Sequence, residues 1–168
     1  MLIFEGDKVK KNNKVIKTEQ FNATLILIIM INDYTFSIIK PDAVKAGNTG
    51  PVLSMINEAG FEIAAMKMLH ITRHQAEEFY AVHRERSFYR DLVEFMISGP
   101  VVVLVLRHEN AVEQFRTLIG STDPAKADKG TVRARFATNV QMNAVHGSDS
   151  PENAAREANF FFPAIEVF

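Results

Sequence analysis

The spacing of apolar positions along this chain changes several times, and each change marks an element. Tyr34-Thr35-Phe36-Ser37-Ile38-Ile39 alternates and is rich in aromatic and β-branched side chains, which predicts a strand. Lys40-Pro41-Asp42 stops it, because proline has no N–H to give a ladder, and Asp42 is placed to cap the next element. From Pro51 to Ala59 the period becomes helical, with Val52, Met55, Ile56 and Ala59 on one face and Gly60 just past the end. Phe61 to Ile71 reads as a second strand. Thr72 opens a helical stretch with Ala76, Phe79 and Tyr80 on one side, and a further helix from Tyr89 to Ile97 turns Leu92, Val93 and Met96 inward before Gly99-Pro100 breaks it. Val101 to Leu106 is an unbroken apolar run, the pattern of a central strand covered on both faces or one partly covered by a partner. Ala111 to Ile119 is a helix carrying Phe115, Leu118 and Ile119. Residues 120–130 form a polar loop, Val140 to Val145 a short last strand, and Ser150-Pro151-Glu152 the start of a final helix. The order β–α–β–α–α–β–α–β–α predicts an α/β (α+β) sandwich with helices packed on a four-stranded sheet.

The first 32 residues show another pattern. Residues 1–29 hold five lysines against Glu5, Asp7 and Glu19, and an apolar run from Ala23 to Ile31 comes next, broken only by Thr24. A basic stretch before an apolar one resembles an export signal, but acidic residues interrupt it and no Ala-x-Ala-like site comes after it. Nine residues are too few to span a bilayer as a helix, which takes about 20. The open readings are an accessory strand or arm, or sequence upstream of a start at Met30. The expected division is therefore an extension over 1–32 and one compact domain over 33–168.

Composition removes several chemistries. The 168 residues contain no cysteine, which excludes disulfides, thiolate catalysis and Cys-ligated metal sites. With 19 basic and 20 acidic side chains the net charge is -1, which argues against nucleic-acid binding by bulk charge. There is no Gly-x-x-x-x-Gly-Lys-Ser/Thr loop and no Gly-x-Gly-x-x-Gly after a strand. His70 and His74 have the i,i+4 spacing of metal ligands, but His70 falls at a strand end with no third ligand nearby.

His146-Gly147-Ser148-Asp149-Ser150 is the most informative segment, with one histidine at the end of a short strand, beside a glycine and before a capped helix. An imidazole of ordinary pKa, about 6.5, is roughly three-quarters neutral at pH 7 and is then a competent nucleophile. Lys40, Arg116, Thr122 and Arg133 are residue types that match phosphate oxygens.

Four segments together carry a resemblance. Tyr34-Thr35-Phe36-Ser37-Ile38-Ile39-Lys40-Pro41-Asp42-Ala43-Val44, Ser98-Gly99-Pro100-Val101-Val102, Gly130-Thr131-Val132-Arg133 and Asn143-Ala144-Val145-His146-Gly147-Ser148-Asp149-Ser150-Pro151-Glu152-Asn153-Ala154 resemble, in order and over about residues 33–168, the nucleoside diphosphate kinase family in its short bacterial form. The resemblance implies a ferredoxin-like four-stranded antiparallel sheet with helices packed on it. It implies an enzyme that moves the γ-phosphate of a nucleoside triphosphate, usually ATP, to a nucleoside diphosphate. Transfer would be ping-pong, through a phosphohistidine on His146, and would maintain nucleotide pools. Glu157 would hold the imidazole. Arg116, Thr122 and Arg133 would take the β- and γ-phosphates. Lys40 and Asn143 would hold the ribose 3′-hydroxyl and bridging oxygen, and Tyr80 would donate near the reacting centre. Phe88 would stack on the base, with Val140 on its other face and Leu92 near its edge. Ser87 departs from the proline common before this phenylalanine. Mg²⁺ is expected on the phosphates with no assigned protein ligand. A cytoplasmic homo-oligomer, tetramer or hexamer, is implied, with the 120–130 loop packed between subunits and no membrane or specific nucleic-acid partner. An interaction module that kept the fold and lost catalysis is disfavoured, because every matched position holds the expected residue type.

Overall fold

Val101–Arg107 forms β3, the strand around which the sheet is built, and Val101 through Leu106 are all buried. The computed structural model describes residues 32–163, 166 and 167. The extension predicted over 1–32 and a start at Met30 lie outside the described residues, Asn32 apart. β1 (Tyr34–Ile39) runs antiparallel along one side of β3, with Tyr34 opposite Arg107 and Ile39 opposite Val102. β2 (Glu62–Leu69) runs antiparallel along the other side, from Glu62 opposite Arg107 to Leu69 opposite Val101, with a bulge between Ile63 and Ala65. β4 (Val145–Gly147) pairs antiparallel with β1, placing His146 opposite Ile38. The sheet order is β2-β3-β1-β4, the antiparallel arrangement expected.

Because side chains alternate along a strand, the apolar run Val101 to Leu106 of β3 serves two cores. Val102, Leu104 and Leu106, with Ile39 of β1, face α1 (Pro41–Lys45), α2 (Thr49–Glu58), α5 (Ala111–Ile119) and α6 (Val132–Phe136). Val101, Val103 and Val105, with Phe36 and Ile38, face α3 (Arg73–Phe79), α4 (Tyr89–Met96) and the C-terminal end of α7 (Pro151–Phe161). Among the described residues no helix is long and apolar enough to cross a membrane.

Two predicted caps are present. Thr72 and Gln75 form a reciprocal capping box at α3, and Ser150 Oγ accepts from Asn153 N at 3.1 Å at the start of α7. Three expectations are corrected. Asp42 does not cap α1; Lys40 is the N-cap, and the Asp42 carboxylate instead accepts from Ala144 N at 3.0 Å. The last strand is Val145–Gly147 and not Val140–Val145, because the Asn139 side chain accepts from Gln141 N and Met142 N and closes a turn there. The helix predicted from Pro51 begins two residues earlier, at Thr49.

Gly147 matters for the position of β4. A Cβ there would lie 2.9 Å from Phe115 Cδ1 and 3.0 Å from Ile119 Cδ1, so only glycine lets the strand close on α5. Gly147→Ala is expected to overpack this contact and lower stability by about 1–3 kcal/mol. Urea denaturation against the parent protein measures it, and an unchanged midpoint would refute the close-approach argument.

Candidate active site

His146 occupies the middle of β4, and the strand is fastened on both sides of it. Ser37 Oγ donates to His146 O at 2.9 Å, and Ser148 N donates to Phe36 O at 3.2 Å. The imidazole packs against the Phe36 and Phe79 rings, at 6.1 and 5.7 Å between centroids. α7 starts four residues after β4 and turns back along the sheet, which carries Glu157 to the imidazole. His146 Nε2 and Glu157 Oε2 are 2.8 Å apart, and Ser148 Oγ donates to the same oxygen at 2.6 Å. A carboxylate only accepts, so Nε2 carries the proton and the lone pair lies on Nδ1. Nδ1 has no hydrogen-bond partner among the described residues, and the imidazole lines a cavity of about 670 Å³.

All eleven residues singled out from the sequence line that one cavity: Lys40, Tyr80, Phe88, Leu92, Arg116, Thr122, Arg133, Val140, Asn143, His146 and Glu157. Lys40 enters from the end of β1, buried, with Nζ donating to Asn143 Oδ1 at 2.6 Å. Burial, then the Arg133 charge, lowers its ammonium to a pKa of about 8, with Asp42 pulling the other way. Arg133 sits on α6 behind the Thr131 cap and donates from Nη1 to Gly120 O at 2.7 Å and from Nη2 to Val145 O at 3.0 Å. Its Nε is buried without a hydrogen-bond partner among the described residues. Burial and the neighbouring Arg116 lower its pKa to about 10, so it stays cationic at neutral pH. Gly120, which ends α5 at φ 78°, lets Thr131 approach: a Cβ would lie 2.5 Å from Thr131 Oγ1.

The Tyr80 hydroxyl is buried, with no hydrogen-bond partner among the described residues. Burial, then the Glu157 charge, pushes it well above the ordinary phenol range, so it remains a neutral donor. Asn143 Nδ2 donates to Thr122 O at 3.4 Å and ties the 120–130 loop to the entry of β4. Phe88 and Val140 are 50% and 57% exposed, an apolar pair left open on the cavity wall. Gln141 Nε2 donates to Asp91 O at 3.0 Å and joins the Val140 turn to α4, which carries Leu92.

The cavity also includes residues that pattern reading did not single out, among them His83, Asp149, Asn153 and Arg156. The available signal was position: the last three lie on the turn and first helical turns directly after His146. Asn153 Nδ2 donates to Asp149 Oδ1 at 2.6 Å and holds that carboxyl below the usual carboxylate range. His83 stands between Tyr80 and Phe88, 6.5 and 5.7 Å from their ring centroids. His74 is exposed on α3, 3.5 Å from Glu78, and His70 comes just after β2, outside the cavity. Among the described residues no three His, Asp or Glu side chains gather as a metal cluster.

Residues 33–167 match the nucleoside diphosphate kinase family. The nucleoside diphosphate kinase of Nitrosomonas eutropha is 55% identical over 139 residues, covering 83% of this chain and 99% of the relative. That of Thiobacillus denitrificans is 55% identical over 134 residues, covering 80% and 94%. The Aquifex aeolicus nucleoside diphosphate kinase superposes with a TM-score of 0.79 at 45% identity over 81% of this chain and 99% of that one, and the Halobacterium salinarum enzyme, solved in complex with CDP, with 0.78 at 33% over 82% and 91%. With these relatives covered nearly end to end, and an imidazole facing a cavity rich in cations, the chain belongs to the nucleoside diphosphate kinase family, transferases that exchange phosphate between nucleoside tri- and diphosphates.

Proposed function

We propose that His146 carries the phosphoryl group between the two nucleotides, in a ping-pong cycle with one cavity serving donor and acceptor in turn. The observation that carries this reading is the His146–Glu157 hydrogen bond, which leaves the lone pair on Nδ1 of an imidazole that lines the cavity. In the first half-reaction the Nδ1 lone pair attacks the γ-phosphorus of a nucleoside triphosphate, usually ATP. The bond to the β–γ bridging oxygen breaks, and its electron pair leaves on the diphosphate. Glu157 stabilises the positive charge that develops on the ring while Nε2 keeps its proton. In the second half, a terminal oxygen of an acceptor diphosphate attacks the phosphorus and the N–P pair returns to Nδ1.

Phosphoryl transfer spreads charge over the equatorial oxygens, so fixed donors matter more than covalent help from the protein. Arg116, Thr122 and Arg133 would take the β- and γ-phosphates. Lys40 and Asn143 would hold the ribose 3′-hydroxyl and bridging oxygen, and Tyr80 would donate near phosphorus. Phe88 would stack on the base, with Val140 opposite and Leu92 at the edge. Such a platform accepts any base, since every base has a π-face. The cavity has two carboxylates, and Glu157 is committed to His146 and Ser148. That donor set fits Mg²⁺ held chiefly by the nucleotide's own phosphates, with Asp149 as the other carboxylate of the lining. When bound, the ion would neutralise charge on the β- and γ-oxygens. In this reading the enzyme maintains nucleoside triphosphate pools in the cytoplasm as a homo-oligomer, tetramer or hexamer, with the 120–130 loop between subunits.

Incubation with γ-labelled ATP is expected to leave an acid-labile, alkali-stable label on the protein that GDP discharges. His146→Ala should take up none while melting cooperatively; label on that variant would remove the nucleophile assignment. The rate should also report Lys40. With the free enzyme's ammonium at about 8, kcat/KM falls as pH rises through that value. kcat holds to higher pH, because bound phosphate stabilises the cation. Initial rates measured across this range check the order of the two limbs, and a kcat/KM flat through about pH 9 would contradict it. Sedimentation equilibrium reads the assembly, and a monomer would remove the oligomer proposal.

A further inference from the structure

Ala144, fully buried, sits at φ 67°. The left-handed region crowds the Cβ of an L-residue against its own backbone, and such a conformation persists only where surroundings enforce it. Both polar backbone groups of Ala144 are gripped by one corner of the chain. Lys40 N donates to Ala144 O at 2.8 Å, and Ala144 N donates to Asp42 Oδ2 at 3.0 Å. On one side of Ala144, Asn143 meets Lys40 Nζ; on the other, Val145 begins the strand that holds His146. Among the described residues, Asp42 does not line the cavity, gives no side-chain cap to α1, and leaves Oδ1 buried without a hydrogen-bond partner. The hydrogen bond this carboxylate makes is to the Ala144 N–H, while its charge also supports the Lys40 ammonium.

We propose that Asp42 is a positioning residue: by holding Ala144 left-handed, its Oδ2 aims the Asn143 amide at Lys40 and sets the line on which β4 brings His146 to the cavity. The inference rests on reading that cavity as the site of phosphoryl transfer. Without the carboxylate, Ala144 relaxes toward an ordinary φ. The chain direction between Asn143 and Val145 then changes, and misplacement by about 1 Å at a reacting centre is enough to slow transfer about 100-fold.

The test compares D42A, D42N, A144G and D42A/A144G. Single-turnover phosphorylation of His146 is measured well below each variant's melting midpoint. D42A is expected to phosphorylate about 10- to 100-fold more slowly, in a protein that still melts cooperatively. D42N keeps an acceptor without the charge and should lose less than about fivefold. Adding A144G to D42A should recover at least about fivefold, because glycine takes the left-handed region without penalty. Three results would overturn the proposal. D42A could phosphorylate at the parent rate and only melt lower. D42N could be as slow as D42A, which would make the charge on Lys40 the cause. A144G could bring no recovery. If D42A does not fold, D42A/A144G decides alone: a loss under about 20-fold supports the proposal, and a larger loss in folded protein defeats it. A parent protein that neither takes label from ATP nor passes it to GDP would instead defeat the reading of the cavity.

Discussion

The hydrogen bond between His146 Nε2 and Glu157 Oε2, 2.8 Å long, is the constraint on which the proposed chemistry depends. It decides which ring nitrogen holds the proton and therefore which one keeps a free lone pair. Much of the surrounding structure serves that single distance. Ser37 holds the His146 carbonyl, Ser148 occupies the same carboxylate oxygen, and the Phe36 and Phe79 rings wall the imidazole. Gly147 lets β4 close on α5, and the Ser150 cap starts α7 in the phase that returns Glu157.

The rest of the cavity is a set of donors held short of satisfaction. Arg133 gives both terminal nitrogens to carbonyls and keeps Nε unpaired; Tyr80 keeps its hydroxyl unpaired. Burial lowers the proton affinity of both Lys40 and Arg133, and each has a second cation nearby that lowers it further. Packing cations and orphan donors together is unfavourable in an empty protein. The same arrangement favours an arriving polyanion, and it needs little reorganisation when charge develops. The apolar half of the cavity wall, Phe88 and Val140, stays open to solvent.

Patterning was legible where burial is regular. β1, β3 and α5 match their expected spans because each presents a clean period to a core. All eleven candidate residues meet in one cavity, and they came from motif resemblance and not from periodicity. Legibility failed where a side chain chose a partner distant in sequence. Asp42 looked like a helix cap, but its carboxylate is taken by Ala144, 102 residues away. Val140 looked like strand, but Asn139 folds its own backbone into a turn and lifts Val140 into the open. α6 fell in the stretch between the polar loop and the last strand, where five residues are too short to show a helical period.

Determined by the sequence alone were the antiparallel order's raw materials, the apolar run Val101 to Leu106, the caps at Thr72 and Ser150, and the residue types able to meet phosphate. These come from local period and local hydrogen bonding, which a linear chain already contains. Only the tertiary structure decided that Nε2 and not Nδ1 pairs with Glu157, that burial lowers the pKa of the Lys40 ammonium, and that Ala144 is held in a conformation alanine avoids. Each depends on partners brought together from distant parts of the chain, and charge, burial and strain exist only once those partners meet.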